Sequence, residues 1–192
     1  MSDTELGPLL LATARGAIER HLGARDAQAP EHPALLEPGA SFVTLTCDGE
    51  LRGCIGSLEA RRPLGEDVAA NAIAAASRDL RFSPVERNEL EHIRVEVSVL
   101  TRPRLLQFAD ERELLQSLRP GVDGVLLSAH GRSATFLPQV WEQLPDPRMF
   151  LGALKRKAGL EPGVAATEMT IATYQVRKWK EAERSTASGS LR

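Results

Sequence analysis

The chain is poor in the residues that announce a cofactor or a metal. It has 192 residues but only two cysteines, Cys47 and Cys54, and four histidines. Neither CxxC spacing nor clustered histidines accompany the cysteines, so no structural zinc site is expected. Aromatic residues make up 4% of the chain, and no apolar run approaches the roughly 20 residues needed to span a bilayer. The opening stretch MSDTELGPLL carries acids where a secretory leader would carry lysine or arginine. A cytosolic protein is the expectation, and a reducing compartment argues against a structural disulfide. A surplus of positive charge is missing too. The formal charge is −2 with both signs interspersed, which argues against generic nucleic-acid binding and leaves only a local basic group, such as Arg61, Arg62, Arg78 and Arg81.

Apolar residues are plentiful, at 42%, and occur in every third of the chain. Leu6, Leu10, Ala14, Ala17 and Leu22 fall at helical spacing over 4–22, with a capping box at Ser2–Glu5 and a stop at Gly23. The proline-bearing stretch from Gly23 to Gly39 reads as a surface loop. SFVTLTC and LRGCIGSL flank Asp48-Gly49-Glu50, a hairpin pattern. Residues 64–79 form an alanine-rich helix with Leu64, Val68, Ala72, Ala75 and Ala76 in one stripe, suited to close packing on a sheet. IRVEVSVL alternates as a half-buried strand.

Further on, a short helix is predicted at 110–118, a second hairpin turning at His130-Gly131, and a helix at 147–158 with Met149, Phe150 and Leu154 in its core stripe. EMTIATYQVRKW reads as one final strand, and the polar tail 181–192 as disordered. Strands and helices mingle without a βαβ alternation. The predicted fold class is therefore α+β, a mixed or antiparallel sheet with hairpins flanked by helices.

The segment ELRGCIGSLE sets a cysteine and an arginine among glycines. Strand alternation puts Arg52 and Cys54 on one face, about 7 Å apart along the backbone. A three-residue loop at Asp48-Gly49-Glu50 sets Cys47 against Leu51, Leu45 against Gly53 and Val43 against Ile55. That gathers one apolar face and leaves Thr44, Thr46, Arg52 and Cys54 on the other. A guanidinium near a thiol favours the thiolate, while glycines leave room for a ligand or another backbone. The competing reading is a structural cysteine beside close-packing glycines, since free cysteine is among the most buried residue types.

LRGCIGSLE, LRFSPV, VEVSVL, GVDGVLL, ATFLPQVW and LKRKAGL, in that order, resemble the blocks of the AMMECR domain family, in particular its bacterial AmmeMemoRadiSam system protein A type. The resemblance implies one domain of two lobes over 4–180, with the hexapeptide LRGCIG near a cleft, and no established reaction. It implies Memo-like and radical-SAM proteins as pathway partners. The chain has no cysteine triplet for an iron–sulfur cluster, so radical chemistry would belong to a partner, and no cofactor is implied.

By position, the resemblance implies a site of Arg52, Gly53, Cys54 and Gly56, with Arg81, Phe82 and Pro84 from the second block. Glu96 and Ser98 come from the strand, Arg132, Pro138 and Gln139 from the segment before LPQV, and Lys157 from the last block. Two functions follow. In one, an enzyme acts on a small or peptide-like substrate, with Cys54 as nucleophile, Arg52 stabilising negative charge and Glu96 moving protons. In the other, the chain is a non-catalytic binding or adaptor module. Glu96 has a plainer role as well, an ion pair with Arg52 or Arg81. GVDGVLLSAHGR matches neither GxGxxG nor a Walker loop, so no nucleotide fingerprint is present.

Overall fold

The computed structural model describes residues 3–26 and 28–182. In chain order the elements are α1 (Asp3–His21), α2 (Pro33–Leu36), β1 (Pro38–Cys47), β2 (Glu50–Gly56), β3 (Arg62–Pro63) and α3 (Leu64–Ser77). They continue with β4 (Ile93–Leu100), β5 (Arg104–Leu105), α4 (Glu111–Ser117), β6 (Gly124–Ala129), β7 (Arg132–Phe136), α5 (Pro147–Lys157), β8 (Thr170–Tyr174) and β9 (Val176–Lys180). The architecture is α+β, with two separate open sheets. The chain divides into two compact units, the second running from Leu100 to Arg177 and the first containing what lies on either side of it.

In the first unit the sheet order is β2-β1-β4-β9, with β3 added beside β1. The alternation of β4 translates into burial: Ile93, Val95, Val97 and Val99 all enter the core. The stripe of α3 meets them there, because Leu64, Val68, Ala72, Ala75 and Ala76 are buried with Val43 and Leu45 of β1. Leu6, Leu10, Ala14, Ala17 and Ile18 of α1 complete that core.

Small side chains on α3 let its backbone approach the sheet. A Cβ placed on Gly53 would lie 2.2 Å from the Ala75 carbonyl oxygen. The near end of α3 is anchored by a buried carboxylate. Asp67 accepts from the backbone N–H and hydroxyl of Ser41, from Ser57, from Asn71 and from Arg62. These bonds hold β1, the end of β2 and β3 to one helical turn.

The β1–β2 hairpin differs from its expected register near the turn. Asp48 and Gly49 both take positive φ, 49° and 88°, as a two-residue hairpin turn requires, so Cys47 pairs with Glu50 and Thr46 with Leu51. The register then shifts, passing over Arg52, and Leu45 meets Gly53, Thr44 meets Cys54 and Val43 meets Ile55. A bulge absorbs the residue that a three-residue loop would have absorbed. The apolar face survives beyond the bulge, and Leu51 leaves it, 42% exposed.

The second unit has the sheet order β5-β8-β6-β7 and its own core, in which Trp141 stacks on Phe150 at 3.7 Å between ring centres. The hairpin at His130-Gly131 and the helices α4 and α5 agree with the sequence reading. Two expectations are corrected. Met149 is 61% exposed, outside the stripe that buries Phe150 and Leu154. EMTIATYQVRKW is two strands, β8 and β9, which join different sheets and part at Gln175. There Thr101 pairs with Gln175, its N–H donating to the Gln175 carbonyl and its Oγ1 accepting from the Gln175 N–H. The segment 23–39 holds α2 and the start of β1 rather than loop throughout. The Ser2–Glu5 capping box and the tail beyond residue 182 lie outside the described residues. Among the described residues no helix is long and apolar enough to cross a membrane.

Gly53→Ala tests the close approach of α3. The new methyl meets backbone, which cannot rotate away, so stability should fall by about 2 kcal/mol or more in chemical unfolding. An unchanged midpoint would mean that α3 does not lie where it is described.

Candidate functional site around the hexapeptide

The hexapeptide and the turn that follows α3 are joined by two carboxylates. The bulge sends Arg52 toward the segment after α3, and its side chain is largely buried, 14% exposed. Arg52 Nε donates to Glu89 Oε1 at 2.7 Å and Nη2 to Glu89 Oε2 at 3.0 Å, a two-pronged pair. Nη1 donates to the Ser83 carbonyl at 2.8 Å and Nη2 to the Pro84 carbonyl at 3.3 Å. Glu89 in turn accepts from the Glu86 N–H, closing a short 3-10 turn.

The second carboxylate is Asp79, which is buried, 7% exposed. It accepts the Cys54 N–H at 2.8 Å and both the backbone and the guanidinium of Arg81, whose Nη2 lies 2.6 Å away. Arg81 itself is more than half exposed and rests 5.4 Å from the Phe82 ring centre. The hydrogen bond from Arg81 holds the Asp79 carboxyl far below its ordinary range, with help from the Cys54 and Arg81 N–H groups and against burial. The Arg52 hydrogen bond lowers Glu89 in the same sense.

The glycines are occupied by the protein's own atoms. The Ala75 carbonyl covers Gly53, and the Phe42 ring lies 2.2 Å from where a Gly56 Cβ would stand. The Cys54 thiol is half-buried on the face of the ribbon opposite the Gly53 contact, where Thr44 Oγ1 donates to its sulfur at 3.3 Å. Both cysteines are free.

The electrostatic partners differ from expectation. The thiol that Arg52 acts on is Cys47, which burial, Asp48 and Glu89 push up while Arg52 pulls down. Arg81, whose Nη2 reaches the Cys54 carbonyl at 3.5 Å, is held protonated chiefly by its hydrogen bond to Asp79. The expected ion pairs are also rearranged. Arg52 takes Glu89, Arg81 takes Asp79, and Glu96 faces Lys178 at 4.0 Å. Glu96 stands on β4 with β1 between it and β2, so the two backbones are about 10 Å apart. That separation is too great for direct proton exchange with Cys54. Ser98 is buried in the same strand, 7% exposed.

The remaining expected residues belong to the second unit. Arg132 opens β7 and donates to the Gly159 carbonyl, and Gln139 is exposed in the 3-10 turn Pro138–Glu142. Lys157 donates to the Thr135 carbonyl at 2.9 Å and lies over the Phe136 ring. Of the four arginines weighed for nucleic acid, Arg61, Arg62 and Arg81 are paired with Glu59, Asp67 and Asp79. Among the described residues no group of three or more histidines, cysteines and carboxylates could hold a metal ion.

Sequence reasoning missed Asp79 and Glu89. A signal existed for Asp79: an acid just past the C-terminal end of a helix is unfavourably placed against the helix dipole, so another partner was to be sought. For Glu89, thirty-seven residues from Arg52, there was none.

These features define an α+β protein whose glycine-rich strand is locked to the turn behind its main helix. The AMMECR1 family model matches residues 11–179, and the chain belongs to that family. It is 35% identical over 190 residues to protein MK0488 of Methanopyrus kandleri, covering 93% of this chain and 90% of that one. It is 39% identical over 160 residues to a protein of Methanothermobacter thermautotrophicus, covering 81% and 83% respectively. The crystal structure of an uncharacterized protein, PH0010 from Pyrococcus horikoshii, matches with a TM-score of 0.74 at 33% identity, covering 92% of each chain.

Because Asp79 and Glu89 are both lowered in the folded state, their contribution is complete above the ordinary carboxylate range, about pH 4, and is lost as pH falls below it. Asp79→Ala should cost about 1–3 kcal/mol at neutral pH, since it strips the Cys54 N–H and Arg81 of their acceptor. Its unfolding midpoint should also fall less steeply with acid than that of the parent. Parallel acid profiles would rule Asp79 out as the titrating brace.

Proposed function

We propose that the protein is a binding module whose recognition element is the turn after α3, with Leu80 at its tip and Arg81 beside it. The observation that carries this reading is the contrast between Leu80 and its flanks. Leu80 is fully exposed, 101% of its reference area, while the residues around it are fixed to the hexapeptide. Asp79 is bonded to Cys54 on one side, and Ser83 and Pro84 are bonded to Arg52 on the other. An apolar side chain held in water on a braced turn loses little freedom when a partner covers it. A leucine flanked by a half-exposed arginine suits an apolar socket with an acidic rim. The hexapeptide is then the frame of the site, and its glycines serve close packing. Memo-like and radical-SAM proteins are the partners proposed for it.

Leu80→Asp tests this directly. Against purified Memo-like and radical-SAM proteins of the same organism, the substitution should weaken binding by roughly 30-fold, the scale of a buried anchor. Its melting temperature should stay unchanged, because Leu80 contributes nothing to the core. Undiminished binding would remove the turn from the interface.

A second reading rests on the half-buried Cys54 thiol, which faces the Thr44 hydroxyl and lies within the field of Arg81. Here Cys54 attacks a small or peptide-like substrate, Arg81 offers its charge to the substrate beside it, and Arg52 fixes the strand. Iodoacetamide alkylation across a pH series separates the two thiols. Cys54 should react faster than free cysteine at neutral pH and Cys47 more slowly, its thiol being pushed up by burial and by its acidic neighbours. A Cys54 rate no higher than that of free cysteine would end the thiol reading.

A further inference from the structure

The first unit contains a hollow of about 500 Å³, a volume that suits a small molecule. Ala12 and Gly16, one turn apart on α1, leave that wall without long side chains. Its charged lining is Arg15, Glu19, Arg25, Arg94 and Glu181, three cations against two acids. Arg15 and Glu181 offset each other. Arg15 Nε donates to Glu181 Oε1 at 2.9 Å and Nη2 to Oε2, while Nη1 and Nη2 also reach the Leu90 and Ile93 carbonyls at 3.0 Å. Glu181 Oε2 accepts the Val95 N–H at 3.0 Å as well.

Arg94 is placed differently. Its Nη1 donates to the Glu91 and Ile93 carbonyls, both at 2.9 Å, and sharing the Ile93 carbonyl sets it beside the Arg15 guanidinium. Its Nε and Nη2 have no acceptor among the described residues. In four other arginines this same edge grips both oxygens of one carboxylate: Arg15 on Glu181, Arg52 on Glu89, Arg81 on Asp79 and Arg119 on Asp123. Arg94 presents that fork already oriented, with no carboxylate of the protein in it. It is half-buried, where an unmatched guanidinium edge costs more than at the open surface. The side chains of Arg25 and Glu19 make no hydrogen bond or ion pair among the described residues. With Arg15 and Glu181 offset, Arg25, Arg94 and Glu19 leave the lining one positive charge in excess.

We infer that this hollow binds an amino-acid unit through its carboxylate, both oxygens lying in the Nε–Nη2 edge of Arg94 and Arg25 supplying further charge. One excess positive charge favours a single carboxylate, and Glu19 in the same lining would repel a phosphate dianion. Glu19 and Gln28 offer acceptors to the nitrogen next to that carboxylate, an ammonium in a free amino acid and an amide N–H at a peptide end. The site draws on no residue of the hexapeptide or of the turn after α3, and it stands apart from the binding-module reading.

The test uses the intact ¹⁵N-labelled protein, with amide shifts in a ¹H–¹⁵N spectrum as the readout. N-acetylglycine probes a peptide end, glycine a free amino acid, and N-acetylglycinamide the same frame without the carboxylate, with sodium chloride matching ionic strength. N-acetylglycine or glycine should move the Arg25, Gln28 and Arg94 amides saturably, the better binder naming the source, and N-acetylglycinamide should not. Arg25→Gln, at an exposed position, should weaken binding roughly threefold at an unchanged melting temperature. Arg94→Gln should weaken it roughly tenfold and Arg94→Lys nearly as much, because lysine keeps the charge and lacks the paired edge. No saturable shift from either acid, equal shifts from N-acetylglycinamide, shifts that chloride reproduces, or affinity untouched by Arg25→Gln or by Arg94→Lys would each overturn the assignment.

Discussion

The Arg52 side chain holds a segment whose only regular structure is one 3-10 turn, Arg87–Glu89. The stretch between α3 and β4 has no strand and no α-helix, so its backbone carbonyls need partners from elsewhere. Arg52 supplies them for Ser83 and Pro84, and Glu89 offsets its charge in a setting mostly removed from solvent. One long, planar, permanently charged side chain can reach a carboxylate and two carbonyls together, which lysine cannot do. The β-bulge is what aims it there.

The glycines around Cys54 belong to the same construction. Strand β2 is pressed beneath the backbone of α3 at Gly53 and against the Phe42 ring at Gly56, with no room left for side chains. Asp79 then reaches from the end of α3 to the Cys54 N–H, so helix, strand and turn are joined at one residue. The hexapeptide is thereby intelligible as a packing solution: a charged anchor, two gaps for neighbouring atoms, and an N–H aimed at a buried acid.

The sequence made the regular parts readable, because periodicity in β4, α3 and α5 reflects burial directly. Its failures share a physical cause. The hairpin register depended on how a bulge and a turn divide one extra residue between them, and both solutions keep Val43, Leu45, Gly53 and Ile55 on one face. The partners of Arg52 and Arg81 are acids brought near by the fold, at a range where composition carries no signal. EMTIATYQVRKW kept β-forming residues throughout, so nothing local marked the point where the chain leaves one sheet for another. Met149 satisfied helical spacing, but it sits in the first turn of α5, beyond the reach of the core.

The chain's two tryptophans fall one to each unit. Trp179, on β9, closes over Gly7 of α1, while Trp141 stacks on Phe150 and donates its indole N–H to the Asp123 carbonyl. Nature has thus installed a separate optical probe in each half of the molecule. Fluorescence from proteins carrying phenylalanine at one or the other position would reveal whether the halves melt together or in sequence, without any added label.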